Sequence, residues 1–283
     1  MKKTTEKHMK AVLPPHLREE DFAWSTGQID ELLHVQKGGF STRRLIKIMN
    51  EFILGYKFIR HYRKAATIFG SARCGFDHKV YQEATKLGYE LAKERFAVIT
   101  GGGPGVMEAA NQGALQAGGH SVGLNIQLEH EQRINQYVNE ASSFHYFFTR
   151  KVMLASASQV YIFFPGGYGT MDELFEMLTL TQTKKVSPIT IILVNKSFWK
   201  PLIRWIEKTM YERDAAIDKS DLKLYHVVDN ADEAMKLIKK VTTEKHIDHM
   251  SRAADTLAHA KEGVRMRGQC DEEGDQIKRS KKQ

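Results

Sequence analysis

Long apolar runs and cysteine are what this sequence lacks most plainly. No stretch of the 283 residues approaches the roughly 18 consecutive apolar residues that cross a bilayer, so no membrane-spanning helix is expected. The start, Met1-Lys2-Lys3-Thr4-Thr5-Glu6-Lys7, is basic, but no apolar core follows it, which is not the pattern of a secretory signal. The only cysteines are Cys74 and Cys270, without metal-ligand spacing. No metal site is therefore expected, and a reducing cytoplasm is the natural location. Clustered positive charge is also scarce where it would matter. The net charge is +8, but residues 1–65 hold 13 Lys and Arg against 7 Asp and Glu, and residues 241–283 hold 9 against 8, which leaves only +1 for the middle. A nearly neutral core without a reading motif argues against nucleic acid as the main ligand. With 42% hydrophobic and 27% charged residues the composition is that of a globular protein, long enough for one large domain with appendages or two small ones. No internal repeat is visible.

What is present is an alternation of strand and helix. Residues 1–40 are polar and broken by Pro14-Pro15 and Gly38-Gly39. From Ser41, a candidate N-cap, the spacing of Leu45, Met49, Phe52, Tyr56 and Ile59 predicts an amphipathic helix to about Tyr62. Its other faces carry Arg43, Arg44, Lys47, Lys57 and Arg60. Such a helix can lie on a membrane; packing on its own domain or on a dimer mate is the expectation here. Strands are predicted at 65–69, 96–100, 120–126, 160–164, 188–194 and 224–228, and helices at 81–94, from 106, at 147–156, from about 170, at 198–210 and at 231–240. This order predicts an α/β fold, a Rossmann-like doubly wound parallel sheet. The expected organisation is an N-terminal helical extension over 1–62, the nucleotide-type domain over 63–242 and a charged, partly disordered tail over 243–283.

In an open parallel sheet, ligands bind outside the carboxyl ends of the strands. Three predicted strands empty there into glycine-bearing loops: Gly70-Ser71, Gly101-Gly102-Gly103-Pro104-Gly105, and Pro165-Gly166-Gly167-Tyr168-Gly169-Thr170. Glycines followed by a helix start let backbone N–H groups approach an anion, most often phosphate. Two familiar versions are excluded. A Walker loop needs a Gly-Lys pair followed by Ser or Thr, and no loop has the lysine. A dinucleotide fingerprint needs a middle glycine that Gly70-Ser71-Ala72-Arg73-Cys74-Gly75 lacks. Neither kinase-like ATP use nor nicotinamide chemistry follows, and no cofactor is expected.

The carboxylate of Glu173 sets the last loop apart, because a phosphate seat needs none. Thr170-Met171-Asp172-Glu173 also fits a capping box, with Glu173 in the first turn reaching back to the N-cap. Both readings stand at this point. Arg150 and Lys151 interrupt the apolar Phe147-Phe148-Thr149 and Val152-Met153-Leu154; they are either a solvated stripe or aimed at an anion.

Taken together, Gly101-Gly102-Gly103-Pro104-Gly105-Val106-Met107-Glu108-Ala109-Ala110-Asn111, Arg150-Lys151 and Pro165 through Glu173 resemble the Lonely Guy (LOG) family over roughly residues 60–240. The resemblance implies a dimeric phosphoribohydrolase that cleaves the N-glycosidic bond of a nucleoside 5′-monophosphate to free base and ribose 5-phosphate. The base is a cytokinin in plant-type members, and bacterial relatives are often assigned AMP. It implies Arg150 and Glu173 as the catalytic pair. Substrate contacts fall on Gly70, Ser71, Gly102, Gly103, Gly105, Lys151 and Gly166, Gly167, Tyr168, Gly169 and Thr170, with Glu131 and Thr179 further from the motifs. The same family carries a decarboxylase label, but nothing in the sequence points to a pyridoxal lysine with its acidic partner. A nucleotide sensor or carrier is the alternative function, and an interaction protein working through the basic helix has only charge behind it. A homodimer is the expected assembly.

Overall fold

The computed structural model describes residues 42–127 and 134–241. The described residues up to Leu237 make one compact unit; residues 238–241, at the end of the last helix, fall to a second. The polar N-terminal segment, the Ser41 cap, the charged tail and Glu131 lie outside the described residues.

The elements are α1 (Thr42–Ile59), β1 (Ala65–Phe69), α2 (Lys79–Lys93), β2 (Ala97–Thr100), α3 (Val106–Gln116), β3 (Ser121–Ile126), β4 (Glu140–Phe144), α4 (Phe147–Ser156), β5 (Val160–Phe163), α5 (Tyr168–Gln182), β6 (Thr190–Val194), α6 (Lys196–Trp205), β7 (Tyr225–Val228) and α7 (Ala231–Val241). The strands form one seven-stranded sheet in the order β4-β3-β2-β1-β5-β6-β7. Every pairing is parallel. This is the α/β Rossmann-like fold that the alternation predicts. β1, β2, β3 and β5 are buried along their whole length; β1, β2 and β5 accordingly read as mostly apolar runs, whereas β3 alternates, with Ser121 and Asn125 buried as polar residues. Sequence order runs outward from β1 through β2 to β3 and β4, then returns to the other side of β1 with β5. The reversal puts the topological switch point between β1 and β5, with Ala66 to Phe69 in register with Val160 to Phe163.

One strand is absent from the sequence reading. β4, Glu140-Ala141-Ser142-Ser143-Phe144, has little β propensity and only Phe144 is buried. It is a strand because it pairs along the edge of β3, from Val122 with Glu140 to Ile126 with Phe144. The helix expected over 198–210 is also different in kind. It runs as α6 and then passes into a π-helical stretch at Ile206–Arg213.

α1 packs on its own domain. Phe58, Ile59 and Tyr62 join a core cluster with Phe144, Met153, Leu154, Leu174, Met177, Trp199 and the strand residues Ala65, Phe69, Ala97, Ile99, Tyr161 and Phe163. Gly55 lets α1 approach α4 closely, since a Cβ there would stand 2.6 Å from the Met153 sulfur. α1 also completes the start of α4. Glu51 accepts from the backbone N–H of His145 (2.8 Å) and Tyr146 (3.2 Å) and from the Thr149 hydroxyl. A carboxylate there satisfies N–H groups that open at the helix start and complements its dipole. Arg150 and Lys151 are the next residues of that helix.

α2 and α3 pack against each other through Gly88 and Gly113. Any Cβ on Gly113 would run into the Thr85 carbonyl, and one on Gly88 into that of Ala110. Both obstacles are helix backbone, which has little room to give. Gly113→Ala is therefore expected to destabilise the fold by about 2–3 kcal/mol despite the better helix propensity of alanine. Urea unfolding checks this, and an unchanged midpoint would mean that the helices separate freely.

Candidate active site

Three loops leave the carboxyl ends of β1, β2 and β5 side by side, and backbone hydrogen bonds join them. Ser71 N–H donates to the Pro165 carbonyl (3.0 Å), and Val106 N–H donates to the Ser71 carbonyl (3.0 Å). The glycines are needed for this closeness. Gly102 and Gly105 hold φ of +71° and +73°, and a side chain on Gly105 would strike the backbone of Ser71 and Ala72. A Cβ on Gly70 would meet Val106, and one on Gly166 would meet Thr170 and the backbone of Gly70. Gly167 and Gly169 instead face open space, and the Tyr168 side chain between them is 97% exposed.

The loop after β2 rests on a buried polar network. The Thr100 hydroxyl donates to Asn111 Oδ1 (2.6 Å) and accepts from Gly102 N–H (2.9 Å). The Asn135 amide donates to the Gly103 carbonyl (3.0 Å) and to Asn111 Oδ1 (3.1 Å), while Asn135 N–H donates to the Gly102 carbonyl (2.8 Å). These residues fix the conformation of Gly102 and Gly103 without belonging to the glycine loop. No sequence signal marks them as a group.

α5 starts at Tyr168 with Gly167 as its N-cap and no side chain capping it. Thr170 and Glu173 are therefore the third and sixth residues of the helix. The capping-box reading is corrected by this register: Glu173 sits in the second turn, too far along to reach the N-cap. The two glycines allow the helix to begin one turn earlier than threonine suggested.

Glu173 is instead a buried carboxylate, 6% exposed, and its Oε2 has no hydrogen-bond partner. Its surroundings are charged. Lys151 Nζ lies 3.6 Å from Glu173 Oε1 and 3.1 Å from Glu176 Oε2, and it donates to Asp172. Burial pushes the Glu173 carboxyl up to about 7; the Lys151 and Arg150 charges pull it down, and the neighbouring Glu176 pushes it up further. Burial works against the Lys151 charge, but Asp172, Glu173 and Glu176 more than offset it, so its ammonium is stabilised. Arg150 is held from the other side, with Nε donating to the Leu124 carbonyl within β3 (2.7 Å). Its guanidinium lies against Gly101, where a Cβ would collide with it. Burial disfavours the Arg150 charge, and Glu173 favours it.

The structure thus brings together Gly70, Ser71, Gly102, Gly103, Gly105, Gly166 and Thr170 at the switch point, with Arg150 against the middle loop. Lys151 lies among carboxylates of α5. Thr179 stands further along that helix, its hydroxyl donating to the Phe175 carbonyl (2.7 Å), and lines an open depression with Lys151, Tyr168, Phe175 and Glu176. Asp172 and Glu176 were not anticipated as partners of Lys151. The three-residue interval between Glu173 and Glu176 on one helix was the available signal.

These features define a class: a parallel-sheet protein with an anion-receptive switch point and a buried carboxylate flanked by two cations. The profile of a family described as "Possible lysine decarboxylase" matches residues 107–238. A probable cytokinin riboside 5′-monophosphate phosphoribohydrolase of Oryza sativa subsp. japonica is 31% identical over 146 residues, 49% of this chain and 59% of that protein. A cytokinin riboside 5′-monophosphate phosphoribohydrolase of Rhodococcoides fascians is 28% identical over 152 residues, 53% of this chain and 77% of that protein. One from Arabidopsis thaliana is 24% identical over 210 residues, 74% of this chain and 95% of that protein. The chain is similar to these proteins over the central part of its length, and the matched segment spans 59% of the rice protein.

The raised Glu173 carboxyl has a consequence for stability. The folded state holds a proton that the unfolded chain has already released, so stability falls as pH rises from the ordinary carboxylate range to about 7. Glu173→Gln removes that loss. The variant should be more stable than the parent at pH 8, by on the order of 1–3 kcal/mol, and the gap should close near pH 5. Urea unfolding at both pH values measures it; equal stabilities at pH 8 would show that the carboxylate is not penalised.

Proposed function

We propose that this chain hydrolyses the N-glycosidic bond of a nucleoside 5′-monophosphate, AMP or a cytokinin riboside monophosphate, giving free base and ribose 5-phosphate. The observation that carries this reading is the buried Glu173 carboxyl, poised near neutrality between Arg150 and Lys151 behind three interlocked glycine loops. The names of the relatives support the same chemistry.

Breaking the glycosidic bond builds positive charge on the ribose and negative charge on the departing base. An ionised carboxylate beside the anomeric carbon stabilises that cation and accepts a proton from the attacking water. A carboxyl at about 7 is well matched to both tasks near neutral pH. Arg150, fixed by Leu124 O and pressed on the Gly101 loop, supplies permanent positive charge for the leaving base or the phosphate. The phosphate is seated by the uncapped N–H groups at the start of α5, where Gly167 and Gly169 leave open space. Burial strengthens each of these electrostatic effects.

The test is release of free base and ribose 5-phosphate from a panel of AMP, GMP, CMP, UMP and N6-isopentenyl-AMP. Release from one or two of them is expected. No release from any, with AMP still raising the melting temperature, would favour the sensor or carrier reading. Glu173→Ala should lower kcat by roughly 10²–10⁴-fold while nucleotide binding persists. Full activity in that variant would remove Glu173 from the mechanism. Gly101→Ala should also lose activity, because its Cβ displaces the Arg150 guanidinium.

The same reading carries a cytoplasmic homodimer. No helix among the described residues is long and apolar enough to cross a membrane. Light scattering at micromolar concentration should give twice the chain mass; a monomer would overturn the dimer.

A further inference from the structure

A nucleotide with its phosphate at the start of α5 and its anomeric carbon between Glu173 and Arg150 must carry its base further along the carboxyl edge of the sheet. Arg150 sets the direction. It lies against Gly101 at the end of β2 and donates to Leu124 of β3, on the side of β1 away from β5. The base therefore comes to lie over the ends of β2 and β3.

Asn125 is the residue that follows Leu124. Leu124 turns into the core cluster, whereas Asn125 stands on the opposite face of β3 beside the loop after β2, where a Cβ on Gly102 would touch the Asn125 Cβ at 3.9 Å. Asn125 is 5% exposed, and among the described residues its Oδ1 has no hydrogen-bond partner. Partners are not scarce there. The amides of Asn111 and Asn135, which hold the same loop, are both hydrogen-bonded. An amide oxygen only accepts, so the group that completes it is a donor brought by a ligand, and leaving it unpaired costs stability. Phe147 marks the same place independently. It opens α4 three residues before Arg150, is 53% exposed, and has its ring centroid 6.0 Å from the Arg150 guanidinium carbon. A ring so placed offers a flat apolar face on which a base can stack.

We propose that Asn125 and Phe147 form the base subsite: Phe147 stacks on a purine, and Asn125 Oδ1 accepts from its 6-amino group. This deepens the hydrolase reading and rests on it for the placement of phosphate and ribose. The acceptor selects the substrate class. AMP carries N–H donors at position 6, and N6-isopentenyl-AMP keeps one. IMP has a carbonyl oxygen there, which would set two acceptors against each other. The subsite is one for 6-aminopurine nucleotides.

The experiment is calorimetric binding of AMP, IMP, GMP and ribose 5-phosphate to the full chain carrying Glu173→Ala, which removes turnover. AMP should bind roughly 10–100-fold more tightly than IMP. Adding Asn125→Leu should bring the two within about threefold and leave ribose 5-phosphate binding unchanged. It should also raise the urea midpoint of the ligand-free protein, because an apolar side chain of similar shape leaves no acceptor unpaired. Adding Phe147→Ala should weaken AMP and IMP alike by roughly tenfold and spare ribose 5-phosphate. Equal affinities for AMP and IMP, or a preference that survives Asn125→Leu, would overturn the proposal. So would a Phe147→Ala variant that binds AMP unchanged or loses ribose 5-phosphate equally. GMP bound more tightly than AMP would move the contact to the 2-amino group and overturn the 6-amino assignment. Should Asn125→Leu not fold, Asn125→Ala carries the nucleotide comparison. Absence of hydrolysis in the parent, with AMP still preferred over IMP, overturns the hydrolase reading and leaves the subsite standing; hydrolysis with AMP and IMP bound equally does the reverse.

Discussion

Parallel pairing of β1 with both β2 and β5 is the constraint on which the rest of this structure depends. Parallel strands leave the sheet in the same direction, so these two adjacent pairings deliver three loops to one edge. The reversal of strand order beside β1 then opens a crevice between them. Ser71 ties the loops on both sides with its own N–H and carbonyl. Ordinary side chains would not allow that closeness. Gly70, Gly105 and Gly166 each stand where a Cβ would meet a neighbouring loop or the start of a helix.

The second layer of the argument is electrostatic. A carboxylate in the second turn of α5 is buried because α4 lies across it, and α4 brings two cations with it. Burial alone would keep Glu173 protonated, and the cations alone would keep it ionised. The balance leaves it near neutrality, where a carboxyl can hold or release a proton at modest cost. Such an arrangement reduces stability locally, which is the usual condition of a site built for chemistry.

The position of α4 is in turn set from outside the Rossmann-like alternation. α1 buries Phe58 and Ile59 in the shared core, with Tyr62 just beyond its end, and places Glu51 over the opening turn of α4. The helix that bears Arg150 is therefore held at its start by α1 and at the Arg150 side chain by the β3 carbonyl of Leu124. α1 thereby supports the helix that carries Arg150 and Lys151.

The sequence by itself determined the alternation of elements, the parallel sheet and the three glycine loops. These are local properties: apolar runs that fit only strands buried on both faces, and glycine where the backbone must turn or approach. It also marked Arg150, Lys151 and Glu173 as unusual, since charge in an apolar stretch or beside a phosphate loop is conspicuous. Tertiary structure alone decided the rest. β4 exists because the edge of β3 offers unpaired backbone groups to a polar segment. Glu173 changed from a plausible cap to a buried carboxylate because α5 begins at Tyr168, and helix register depends on what the first turn packs against. Glu176, Asn111, Asn135 and Glu51 acquired their roles from partners distant in sequence, or one turn away across a shared charge. Burial and pairing are properties of neighbours in space, and a sequence reports neighbours only along the chain.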